Sequence, residues 1–222
     1  MRNRFDEQLF KLNNELIQMG SMIEKAIENA VKALVTQDIE LAKKIIVSDE
    51  EIDRQERAIE GMCLKLLLQQ QPVAKDLRQI SSALKMITDM ERIGDHAADI
   101  SEITMTMLNK KEAYIKNLEH IQSMAKETSA MLIGSVDAFV EKNMDKANDV
   151  IKQDDVVDQL FITVQKELVQ LIRKDPDCGE QATDLLMIAK YFERIGDHAT
   201  NISEWVIFSL TGSHEEVYGN ET

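Results

Sequence analysis

Apolar residues return at every third or fourth position along most of the chain. Ile23, Ile27, Ala30 and Leu34 make one such series, and Leu132, Ser135 and Phe139 mark another. That is the period of a helix buried along one stripe, whereas a half-buried strand alternates at every second residue. The pattern predicts six main helices, over roughly 4–35, 49–70, 75–109, 114–141, 154–173 and 180–210. Two short helical pieces are expected at roughly 38–47 and 143–152, opening on the capping types Gln37-Asp38 and Asn143. Pro72 and Pro176 fall where a helix has to stop, because proline lacks the amide donor and clashes with the preceding turn.

The chain contains itself twice. The heptapeptide ERIGDHA spans Glu91–Ala97 and recurs at Glu193–Ala199. Around it Asp49 aligns with Asp154, Pro72 with Pro176 and Glu91 with Glu193, at offsets of 105, 104 and 102 residues. A register that steady implies two copies of one three-helix unit. The expected fold is therefore all-α: two tandem, sequence-related three-helix bundles with six main antiparallel helices. Residues 1–110 form the first bundle, 111–212 the second and 213–222 a polar tail, with the charged run Asn109–Tyr114 (NKKEAY) at the boundary. Each unit is long enough to bury its own interior, so one shared core and two adjacent ones are both open.

Composition narrows the function. There are 26 Lys and Arg against 40 Asp and Glu, a formal charge of -14, so nucleic acid is a poor partner. Apolar residues make up 44%, ample for a packed interior, while eight Gly and two Pro are too few for the tight turns of a sheet protein. No run approaches the ~18 apolar residues of a membrane span. The opening MRNRFDEQLF lacks the apolar centre of a signal peptide, which predicts a cytoplasmic protein. Cys63 and Cys178 form neither a disulfide framework nor a metal knuckle, and are expected to pack in a helix and to sit in a loop.

The candidate chemistry lies in the acidic residues. On a helical wheel Glu91, Asp95, Asp99 and Glu102 fall within about 80° of one another, and Met86, Met90, Ile93, Ala97 and Ile100 face the other way. The second copy carries Glu193, Asp197, Asn201 and Glu204 on the matching face. Carboxylates one turn apart repel by a few tenths of a kcal/mol, so something has to offset them. Further pairs stand at Asp49 and Asp53 and at Asp154 and Asp158, where a first helical turn would already favour negative charge. Composition alone gives roughly seven pairs at this spacing, so a solvated acidic face explains any single one. Their recurrence at equivalent points of both copies points to metal. In an antiparallel bundle the start of the second helix can face the middle of the third, and four converging carboxylates suit iron, manganese, magnesium or calcium, or zinc.

His96 and His198 lie about 140° around the wheel from Glu91 and Glu193, which suggests a helix interface rather than ligation. Gly94 and Gly196 cost nearly 1 kcal/mol in a helix interior, and close approach of a neighbouring helix is the expected compensation. The chain has no GxxxxGK[ST], HExxH, GxSxG or glycine-rich dinucleotide turn, so no catalytic function is expected. The histidine follows the glutamate by five residues, unlike the Glu-x-x-His of di-iron bundles. A metalloenzyme or metal store remains the competing class.

The doubled ERIGDHA, the run QQPVAKDLR at Gln70–Arg78 and the repeated acidic pairs resemble the PhoU family over essentially the whole chain. The resemblance implies a cytoplasmic, commonly dimeric protein of two three-helix bundles with multinuclear metal clusters. It nominates Asp49, Asp53, Glu91 and Asp95 for one cluster and Asp154, Asp158, Glu193 and Asp197 for the other. Asp99 and Asn201 extend the stripes by a turn, Asn201 departing from a fully acidic pattern. It further implies negative control of the phosphate-starvation response, through an adaptor joining an ABC-type phosphate importer and its ATPase to a sensor histidine kinase.

Overall fold

The chain is described here from a computed structural model that covers residues 2–70, 73–110, 114 and 118–213, with the backbone alone at 2–4, 69 and 70. The described residues form six long helices: α1 (Arg2–Thr36), α2 (Ile39–Gln70), α3 (Ala74–Asn109), α4 (Glu119–Glu141), α5 (Met144–Lys174) and α6 (Gly179–Thr211). A short 3-10 turn, Pro176–Cys178, precedes α6, and no strand occurs among the described residues. Pro72 and the linker residues 111–113 lie outside the described residues.

Two expected breaks are absent. Helices were predicted to begin near Asp49 and Asp154 after short separate pieces, yet α2 and α5 each run through without interruption. The physical reason is a buried stripe that crosses both points. In α2 it is Ala42, Ile45, Ile52, Ile59 and Cys63; in α5, 105 residues later, it is Ala147, Val150, Val157, Val164 and Leu168. The alternating spacing of three and four is complete from Ala42 to Ile52 only when Asp49 is counted, and from Ala147 to Val157 only when Asp154 is. Each aspartate therefore occupies an inward heptad position where a leucine would ordinarily pack. The predicted caps do work, but for the whole helix. Asp38 Oδ1 accepts from the Leu41 amide at 2.9 Å, and Asn143 Oδ1 from the Lys146 amide at 3.1 Å. Helix α4, expected from residue 114, begins at Glu119.

Helices α1–α3 form one antiparallel bundle and α4–α6 the other. They meet along α3 and α6, the broadest helix pairing in the molecule, and along α1 and α4. The buried apolar side chains form one contiguous cluster through both, so the bundles share a core. Phe139, Phe192, Leu12, Leu16 and Met19 are among its largest fully enclosed members. Burial of each such side chain contributes about 1.5–3 kcal/mol, which is what holds helices of this length together. Cys63 is buried in α2 and Cys178 in the 3-10 turn, both as free thiols.

Candidate metal centre

The inward aspartates are seated by glycine. A Cβ built on Gly94 of α3 would lie 3.0 and 3.1 Å from Ile52 and 3.2 Å from Asp49 Oδ1. One built on Gly196 of α6 would lie 2.9 Å from Asp154 Oδ1 and 3.5 Å from Val157. The glycine of each ERIGDHA thus lets the neighbouring helix approach and forms the floor under its carboxylate, the expected compensation for its weak helix propensity. Around the first floor, Asp49 and Asp53 of α2 and Asp95 of α3 each present an oxygen, all within 4.8 Å of one another. Glu91 stands one turn before Asp95 and feels the charges of Asp95 and Asp53. The second group gathers Asp154 and Asp158 of α5 with Glu193 and Asp197 of α6 as mutual electrostatic neighbours.

Crowding and enclosure make six of these carboxyls hard to ionise. Burial, then the charges of Asp95, Asp53 and Asp99, push Asp49 up to about 6 from its ordinary 3.8. Burial, then Asp197, Asp158 and Glu193, push Asp154 up to about 6 likewise. Burial also raises Glu91, Asp95, Asp158 and Asp197. Positive charge offsets part of the repulsion: Arg92 stands 3.4 Å from Asp95 and 3.7 Å from Glu91, and Lys190 pairs with Glu193. Oδ1 of Asp154 is nonetheless buried with no hydrogen-bond partner. A buried acceptor left unpaired is costly, and a cation is the partner that suits a set of oxygens alone. The donors present therefore fit a hard metal ion.

Sequence reasoning passed over Glu56, one heptad after Asp49, whose carboxyl is raised by burial and by Glu60 and Asp53. Its inward spacing was the available signal, and the second copy carries Phe161 there.

Asp99 and Asn201 are drawn to the seam between α3 and α6. His96 Nδ1 lies 3.4 Å from Asp99 Oδ2, and its ring centroid lies 5.3 Å from that of Tyr191 and 5.5 Å from that of His198, tilted against both. His198 Nδ1 lies 2.8 Å from Asp89 Oδ1, to which the Asn201 amide donates at 3.3 Å. The Asn201 amide is thus committed to the seam, whereas Asp99 still adds repulsion at Asp49 and Asp95. Both histidines are interface residues. Asp89 and Tyr191, equivalent across the repeats at an offset of 102, complete the seam and carried no signal in either copy alone.

A family model described as the PhoU domain matches residues 16–104 and again 121–206, one span within each bundle. The chain belongs to the PhoU family. Among its PhoU relatives is the phosphate-specific transport system accessory protein PhoU homolog of Clostridium acetobutylicum, 40% identical over 217 residues, or 97% of this chain and 98% of the relative. The homolog of Rhizobium meliloti is 31% identical over 96% of this chain and 89% of its own length. The crystal structure of PhoU from Pseudomonas aeruginosa superposes with a TM-score of 0.88 at 32% identity, covering 94% of this chain and all of that one. The phosphate transport system regulatory protein PhoU from Streptococcus pneumoniae superposes at 0.84 with 29% identity, over 94% and 98%. No helix among the described residues is long and apolar enough to cross a membrane.

Proposed function

We propose that this chain is an accessory and regulatory protein of phosphate transport, acting as a metal-braced adaptor and not as an enzyme. The observation that carries the reading is its near full-length likeness to a phosphate-specific transport system accessory protein, with both bundles matched. In this reading Asp49, Asp53, Glu91 and Asp95 hold one cluster of iron, manganese, magnesium or zinc, and Asp154, Asp158, Glu193 and Asp197 the other. The bound cation supplies charge neutralisation and bridging; the side chains do the rest. Asp49 and Asp154, seated on their glycines, tie α2 to α3 and α5 to α6, and removal of the cation leaves like charges that push each pair apart.

The adaptor itself is cytoplasmic and homodimeric. It couples the ATPase of an ABC-type phosphate importer to a phosphate-sensing histidine kinase and holds the starvation response off when phosphate is plentiful. Support comes from family membership and from the sequence, which carries none of the nucleotide or nucleophile motifs an enzyme of the common classes would need.

The decisive experiment deletes the gene and follows a phosphate-starvation reporter, such as alkaline phosphatase, in phosphate-rich medium. Deletion should release expression, the intact gene should restore repression, and a quadruple Asp49/Asp53/Asp154/Asp158→Asn gene should restore it poorly. Full repression in the deletion strain would refute the regulatory reading. Elemental analysis of untagged protein tests the clusters separately: fewer than one metal ion per chain would remove them.

A further inference from the structure

Within the run Gln70–Arg78, the described residues 73–78 take no part in the carboxylate clusters. They lie where α3 begins and α4 and α6 end, around a cavity of about 10 Å³ lined by Lys75, Gln79, Phe139, Lys142, Ser209 and Leu210. Lys75, Arg78 and Gln79 are spaced by three and four residues and share one face of α3. Arg78 runs alongside Gly212, the left-handed residue that closes α6, where a Cβ would stand 3.4 Å from its Nε.

Three observations at this junction call for an anion. Lys75, Arg78 and Lys142 make no ion pair among the described residues, although the chain as a whole carries a charge of -14. Arg78 Nε is buried with no hydrogen-bond partner. Gln79 is only 7% exposed, lines the cavity and makes no hydrogen bond among the described residues. The partial negative charge of two helix ends accounts for some of the cations gathered here. It does not satisfy Arg78. The last carbonyls, of Phe208, Ala138 and Phe139, accept from the capping amides of Gly212, Asn143 and Lys142, and none serves the arginine.

We propose that this junction binds an oxyanion, specifically a phosphate group. The Arg78 guanidinium donates to it, Lys75 and Lys142 flank it, and the Gln79 amide donates to one oxygen seated in a cavity with room for about one. A tetrahedral dianion offers acceptors in several directions at once, which fits donors arriving from the start of α3 and the end of α4. Free phosphate and the terminal phosphate of a nucleotide present the same group. The equivalent position of Gln79 in the second copy, Gln181, is flanked by Glu180 and lies near Asp184, so the site belongs to one end of the molecule only.

Isothermal titration of the full chain with inorganic phosphate, sulfate and ATP tests this, with the protein metal-loaded and again after chelation. Phosphate should bind once per chain in both states. Arg78→Gln and Lys142→Asn should each weaken it about tenfold, Arg78→Lys less, because lysine keeps the charge and loses the fork. Asparagine suits the left-handed backbone at Lys142 (φ 56). Lys152→Gln, at an exposed lysine of α5 that does not line the cavity, should change nothing. Tighter binding of ATP with the same sensitivity to Arg78 supports the site and assigns its source to a nucleotide. Three results overturn the proposal: no binding at millimolar phosphate, equal affinity in folded Arg78→Gln and Lys142→Asn proteins, or sulfate binding as tightly as phosphate. Phosphate binding that chelation abolishes and Arg78→Gln leaves intact also overturns it, since the anion would then sit on the metal clusters.

Discussion

Neutralising Asp49 or Asp154 should stabilise the metal-free protein and weaken the metal-bound one. Each carboxyl titrates at about 6 in the folded chain, against 3.8 for the ordinary group. Between those two values the folded state holds more protons than the unfolded one, so its advantage is complete below about 3.8 and is lost as pH rises through about 6. At full weight the difference would come to about 3 kcal/mol at pH 7, but both groups are only half-buried and screening reduces it to roughly 1 kcal/mol each. Asp49→Asn and Asp154→Asn remove that penalty. In chelator at pH 7 each should raise the melting temperature by about 2–4 °C, the shift that ~1 kcal/mol produces in a chain of this size. At pH 4 the gain should vanish. Metal reverses the order: at 100 times its dissociation constant it adds about 2.7 kcal/mol to the wild type, and the asparagine variants should lose most of this. Calorimetry at pH 4, 5.5 and 7, with and without manganese or zinc, reads all of these shifts. Asparagine variants that are less stable than wild type in chelator at pH 7 would show that the carboxylates are not strained against one another, and the reasoning would be wrong.

Gly196→Ala places a Cβ 2.9 Å from Asp154 Oδ1 and should cost about 1–3 kcal/mol in denaturant titrations while lowering metal content. Gly61→Ala has nothing within 4 Å and should instead gain about 0.5–1 kcal/mol, a matched control for helix propensity. Phe192→Ala empties a fully enclosed position of the shared core; a loss of about 3–5 kcal/mol is expected, seen as a collapse of soluble yield or of the unfolding midpoint. Asp89→Ala removes the partner of both His198 and Asn201 and should cost about 1–2 kcal/mol, with faster amide exchange in α3 and α6 and none of the metal lost.

Much of this architecture is readable from spacing alone. Apolar period, internal repeat and Pro176 define six helices in two copies, and the two ERIGDHA glycines announce a close helix contact that the structure bears out. The false breaks at Asp49 and Asp154 have one cause. A polar residue in an inward heptad position looks locally like a helix start, and only the apolar residues on both sides reveal that the stripe continues. The same misreading concealed why those two aspartates are pushed up to about 6. The wheel position of His96 and His198 announces a helix interface, but not what they meet there: His96 faces Tyr191 and His198 faces Asp89 across a contact that joins distant parts of the chain, and neither copy taken alone predicts its partner.

That seam also bears on how the duplication diverged. Were two first halves to pair with each other, Asp89 would stand where Tyr191 now does, beside Asp99, and two acids would confront one another. Two second halves would leave His198 and Asn201 facing a phenol in place of a carboxylate. The seam is thus a lock between unlike faces of two related halves. Cleaved between the bundles, the halves should therefore reunite with each other in preference to their own kind.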